Sequence, residues 1–160
     1  MKPRIDFKRA PREPVNAMYA LEGYILGCGI EKALVALIKI RVSQINACAF
    51  CIDMHTKDAR DHGETEQRIY ALNAWPETPF FSDRERAALA WAEAVTRIGQ
   101  WVHETLYEQA NQHFSEKELA DLTWAVVAIN GWNRIAISFG LAPGSFQPDK
   151  VSVTSSRSTP

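Results

Sequence analysis

The chain has 160 residues, 46% of them hydrophobic and 23% charged, a composition that fits an ordinary globular domain and excludes collagen-like, disordered and disulfide-scaffold descriptions. A domain of this length buries roughly 70% of the surface its unfolded form exposes, so it needs no staple to fold. Eighteen basic against nineteen acidic residues leave a formal charge of −1, which offers no general attraction to nucleic acid or an anionic membrane, and neither is expected as a partner.

In chain order, residues 1–13 mix Pro3 and Pro11 with charges and read as an N-terminal arm. The opening MKPRIDFKRAPREP has no apolar run of the kind a secretory signal needs, and a cytoplasmic protein is expected. Helical periodicity then dominates, and the expected fold class is all-α: a single domain over 14–140 with helices near 15–27, 31–45, 47–62, 65–75, 83–99, 104–113 and 116–139. Ser82-Asp-Arg-Glu85 and Ser115-Glu-Lys-Glu118 fit capping boxes that start the fifth and seventh helices. Gly63 suits the left-handed residue after the third helix, and Trp75-Pro76 with Thr78-Pro79 breaks the chain before the first box. In the last helix Leu119, Leu122, Val126 and Ile129 mark one side and Trp124, Val127 and Ala128 the other, which predicts a central helix. The longest apolar run, Trp124 to Ile129, is far short of a membrane span. Residues 141–160 form a Pro/Ser-rich C-terminal tail.

The chemistry is concentrated in Asn46-Ala-Cys48-Ala-Phe-Cys51-Ile-Asp-Met-His55. On a helix begun at Asn46, taken as its N-cap, Cys48, Cys51 and His55 share a face, and Cys48 lies in the first turn where unpaired N–H groups and the helix dipole favour a thiolate. His55 stands one turn beyond Cys51, where it can take a proton, and as an imidazolium it would also lower a thiol pKa. These arguments favour Cys48 as the more acidic thiol and Cys51 as the one with the better-placed base, without choosing the nucleophile. Structural zinc wants four ligands where this run supplies three; haem attachment wants histidine directly after the second cysteine, where Ile52 stands; a thioredoxin-like site would lie among strands. A zinc-binding module and two packed core cysteines remain as alternatives.

The run Ile40-Arg-Val-Ser-Gln-Ile-Asn-Ala-Cys-Ala-Phe-Cys-Ile-Asp-Met-His55 resembles the alkylhydroperoxidase D-like branch of the carboxymuconolactone decarboxylase family, with its S-x-x-N-G-C-x-x-C-x-x-x-H signature. The likeness extends over roughly residues 30–140, through Glu85–Thr96 and Ile129-Asn-Gly-Trp-Asn-Arg134. It implies an all-α fold, a homo-oligomer (trimer or hexamer), no bound cofactor, and a thiol-dependent peroxidase or disulfide reductase fed by a dithiol electron donor. It also implies that Cys51 attacks the peroxide, Cys48 resolves and exchanges, and His55 belongs to a proton relay. The paired thiols argue against lactone decarboxylation.

Two positions depart from the pattern. Ala47 stands where glycine is common, a mild change on the sequence alone, and Ala36 stands where peroxidase members carry a relay glutamate, twelve residues before Cys48. A slow peroxidase is therefore expected, with Ala36→Glu raising turnover unless Asp58, three residues from His55, supplies the acid. Asn130, Trp132, Asn133 and Arg134 interrupt an apolar helix and are expected to line the thiol pocket, meet a neighbouring subunit or satisfy helix ends. Cys28 is expected to be a packed or idle thiol, and His103 and His113 to face solvent. The alternative function is a redox-sensing or assembly protein whose dithiol does not turn over.

Overall fold

The computed structural model describes residues 3–99 and 101–148. Among these every regular element is helical: α1 (Arg12–Gly27), α2 (Lys32–Ile45), α3 (Ala49–Asp61), α4 (Glu66–Ala71), α5 (Asp83–Thr96), α6 (Glu104–Asn111) and α7 (Glu116–Phe139), with 3-10 turns at Phe7–Arg9 and Leu72–Glu77. The expected 65–75 helix is thus split, because Pro76 has no N–H to continue an α ladder and Ala74 leaves helical geometry. Residues 149–160, most of the expected tail, lie outside the described residues.

Helix α2 is apolar on two faces and is buried on both. Leu34, Ile38 and Val42 join the larger core with α1, α3, α5, α6 and α7, while Leu37 and Ile40 join a second cluster with Ala59, Ile69, Leu72, Trp75, Phe81 and Leu89. Each fully buried Leu or Ile contributes roughly 1.5–3 kcal/mol, so this helix is the fixed post on which the site is built. Helix α7 packs on α1, α2, α3, α5 and α6, as its apolar pattern predicts. It keeps one open stripe, however: of the three residues marking its second side Ala128 is buried, but Trp124 is 51% and Val127 44% exposed.

Both expected capping boxes are present: Ser82 and Ser115 each accept from the backbone N–H of Glu85 and Glu118, whose carboxylates return to the cap N–H at 2.8 Å. Gly131 lets α1 approach α7, since a Cβ there would lie 2.9 Å from Met18 Cε. Helix α7 stops at Gly140 in the left-handed region (φ 70°), against which the N-terminal arm is pinned: Arg4 N–H donates to the Phe139 carbonyl at 2.7 Å.

Candidate functional site

The turn between α2 and α3 sets up the site. Asn46 closes α2 as its C-cap and Ala47 takes a left-handed conformation (φ 54°), so Cys48, and not Asn46, is the N-cap of α3. The expected cap was displaced by one turn of backbone reversal. An L-residue with positive φ is strained, so alanine at position 47 is not the mild change expected.

Asn46 has another task. Its amide donates to Oδ1 of Asn130 and of Asn133, each at 2.9 Å; Asn133 donates to Ser43 Oγ at 3.0 Å and Asn130 to Thr96 Oγ1 at 3.1 Å. These side chains tie the turn to α7 and α5 and leave the fully buried Asn133 satisfied.

Cys48 and Cys51 are both free and 1% exposed, on the core side of the first turn of α3. Hydrogen bonding by the Cys51 thiol, then by the backbone N–H groups of Cys51 and Phe50 and by the Asn133 amide, lowers the Cys48 pKa to about 6 against burial, which raises it. The Cys51 thiol is pushed up, first because its hydrogen bond to Cys48 holds its proton and then because it is buried. The pair thus favours a thiolate at Cys48 and keeps the proton on Cys51.

The two sulfurs face different spaces. Cys48 borders a shallow cleft of about 260 Å3 with Arg4, Ala47, Ile137, Gly140 and Pro143. Cys51 borders a more apolar cavity of about 440 Å3 with His55, Met54, Phe7, Tyr19, Trp132 and the Glu22–Lys39 ion pair. Phe50, Ala136 and Leu141 wall both. His55 does lie with Cys51, but burial, with help from the Lys39 ammonium, pushes its pKa down to about 3. It is a neutral imidazole at physiological pH and not the thiolate-stabilising cation the sequence allowed.

Of the other expected residues, Trp132 lines the Cys51 cavity and Asn133 touches the thiols, while Asn130 acts one step back, through Asn46. Arg134 is exposed and bonds its own helix at Asn130. Asp58 does not serve His55: it stands beside His62 (3.6 Å) in a separate cleft whose wall includes Ala36. A carboxylate at position 36 would face that cleft and not the thiols. Cys28 is half-buried against the core, its carbonyl accepting from Lys117; His103 is exposed, but His113 is half-buried.

Glu22 and Lys39 were missed by sequence reasoning. Lys39 is a charged residue buried in the mostly apolar stretch of α2, and that contrast was the available signal; Glu22 lies on α1, outside any motif. Among the described residues no group of three or more His, Cys, Asp or Glu side chains is arranged to hold a metal ion, and no helix is long and apolar enough to cross a membrane.

The chain is 45% identical over 141 residues to the uncharacterized protein YdfG of Bacillus subtilis (strain 168), covering 88% of this chain and 96% of that one. Over a shorter stretch it is 42% identical to the alkyl hydroperoxide reductase AhpD of Hyphomonas neptunium (43 residues; 27% of this chain, 24% of that one). A crystal structure from Agrobacterium tumefaciens, a protein of unknown function offered as a candidate antioxidant defence protein AhpD, superposes with a TM-score of 0.86 at 41% identity, covering 91% of this chain and all of that one. The fold recurs in the debrominase Bmp8 (TM-score 0.75, 18% identity, 84% of this chain and 73% of that one). The family model for carboxymuconolactone decarboxylases matches residues 13–94. The chain thus belongs to the carboxymuconolactone decarboxylase family, in its AhpD-like branch.

Proposed function

We propose that this protein is a cytoplasmic thiol-dependent peroxidase and disulfide reductase of antioxidant defence. The observation that carries the reading is the buried, free Cys48–Cys51 pair at the head of α3, with Cys51 on the wall of an organic-sized cavity and Cys48 held toward its thiolate. A hydroperoxide enters that cavity. As it approaches, the Cys51 proton passes to the Cys48 thiolate, and the freed Cys51 sulfur takes the terminal oxygen as sulfenic acid. Cys48 then attacks the sulfenic sulfur, its proton leaves with the hydroxyl as water, and the Cys48–Cys51 disulfide remains for an external dithiol to reduce. Cys48 keeps the resolving role implied by the family, with the added task of base. The kinship with AhpD and the apolar cavity support a peroxide substrate; the exposed Trp124–Val127 stripe supports burial between subunits of a homo-oligomer, trimer or hexamer.

Stoichiometric peroxide followed by mass spectrometry tests the pair, and excess small dithiol tests turnover. A Cys48–Cys51 disulfide with sustained peroxide consumption is expected. Two free thiols after treatment would sink the reading, and a single oxidation without turnover would make the protein a redox sensor instead.

A further inference from the structure

Lys39 and Glu22 meet at 2.5 Å in the wall of the Cys51 cavity, their side chains 11% and 19% exposed. Glu22 Oε1 also accepts from Trp132 Nε1 at 3.1 Å, so the carboxylate is fixed at two points. An ion pair this far from water is no better for stability than well-packed apolar side chains of the same volume. Another buried pair, Arg41–Glu93, is bound into a network with Asn73, Gln44 and Trp75. Lys39 has no such enclosure: among the described residues its hydrogen-bond partner is Glu22, and an ammonium has further N–H groups to offer to whatever fills the cavity.

Peroxide cleavage needs such a group. When Cys51 takes one oxygen, the other departs as an alkoxide, a strong base set free among Phe7, Tyr19, Phe50 and Met54. His55, neutral there, brings no positive charge to it.

Resting on the peroxidase reading, we propose that Lys39 is a catalytic residue that stabilises and protonates the leaving oxygen, and that Glu22, held by Trp132, is the residue that positions it. The S–O bond forms as the O–O bond breaks; the sulfur is oxidised by two electrons and the peroxide reduced by two. The departing RO− takes a proton from Lys39 and leaves as ROH, and Lys39 regains its proton from water.

A merely structural lysine and a leaving-group acid differ in one readout, the dependence on leaving-group basicity. Cumene hydroperoxide releases an alkoxide; perbenzoic acid releases a carboxylate that needs little help. The double variant Glu22→Gln/Lys39→Met, which leaves no unpaired buried charge, is expected to lose about 10²-fold with cumene hydroperoxide while keeping most of its rate with perbenzoic acid. Lys39→Arg, which keeps a cation but does not give up its proton, is expected to lose rate selectively with cumene hydroperoxide as well, by less than the double variant, and serves if the double variant does not fold. Equal losses with both oxidants, in the double variant or in the arginine variant, would overturn the role of Lys39 and leave the peroxidase reading standing. A wild-type protein that turns over neither oxidant would overturn that reading itself.

Discussion

The amide of Asn46, at the end of α2, donates to Oδ1 of Asn133 in the middle of α7 at 2.9 Å, and through this bond the turn that carries the thiols is fastened to the central helix. The same Asn133 offers an N–H to the Cys48 sulfur. One side chain thus anchors the turn and helps hold the thiolate.

Asn133→Leu should therefore do two separable things. It leaves Asn46 and Ser43 short of a partner, costing about 1–3 kcal/mol in chemical denaturation. It also removes a donor from Cys48, so the thiolate absorbance should titrate above pH 6, where the wild-type transition is expected.

Thiol reactivity follows the same logic. Alkylation of Cys48 by iodoacetamide should rise through pH about 6 and level off above it. In Cys51→Ala the largest contribution to that low pKa is gone, and the transition should move upward. An unchanged profile would mean that the backbone N–H groups of α3 and Asn133 suffice.

His55 makes stability depend on pH. Its folded pKa of about 3 lies below the ordinary 6.5, so between those values the unfolded chain binds more protons than the folded one. Stability should fall as pH drops from about 6.5 toward 3, and His55→Gln should flatten the slope in that window. An NMR titration should show the His55 ring unchanged between pH 5 and 8; an imidazolium forming near pH 6.5 would refute this.

Ala47→Gly should stabilise the protein. Relief of the left-handed strain, about 1–2 kcal/mol, outweighs the extra freedom glycine gains in the unfolded chain, about 0.4–1 kcal/mol. Thermal unfolding measures the difference.

Ala36→Glu should leave peroxide turnover unchanged. Ala36 packs beside Leu37, Ile40 and Leu72 and borders the cleft of Asp58 and His62, so the new carboxylate would stand away from Cys51. A clear gain in rate would show that the acid reaches His55 after all.

The helices could be read from the chain because their signals are local: Ser82 and Ser115 with their glutamates, Pro76, and the apolar pattern of α7. The dithiol was legible for the same reason, its members lying within one and a half turns. What escaped depended on tertiary closure. No local pattern tells that Ala47 reverses the chain and moves the cap to Cys48, or that the cavity closing over His55 suppresses its charge. Nor does spacing reveal that α1 delivers Glu22 to Lys39, or that Asp58, so near His55 in sequence, turns to another cleft.

Phe50, Ala136 and Leu141 form a party wall between the two chambers, and this constrains how the site can evolve. A mutation that enlarges one chamber thins the partition of the other. The molecules admitted on the Cys51 side and on the Cys48 side therefore cannot be selected independently, and a lineage that takes up bulkier compounds at one opening must renegotiate what it accepts at the other.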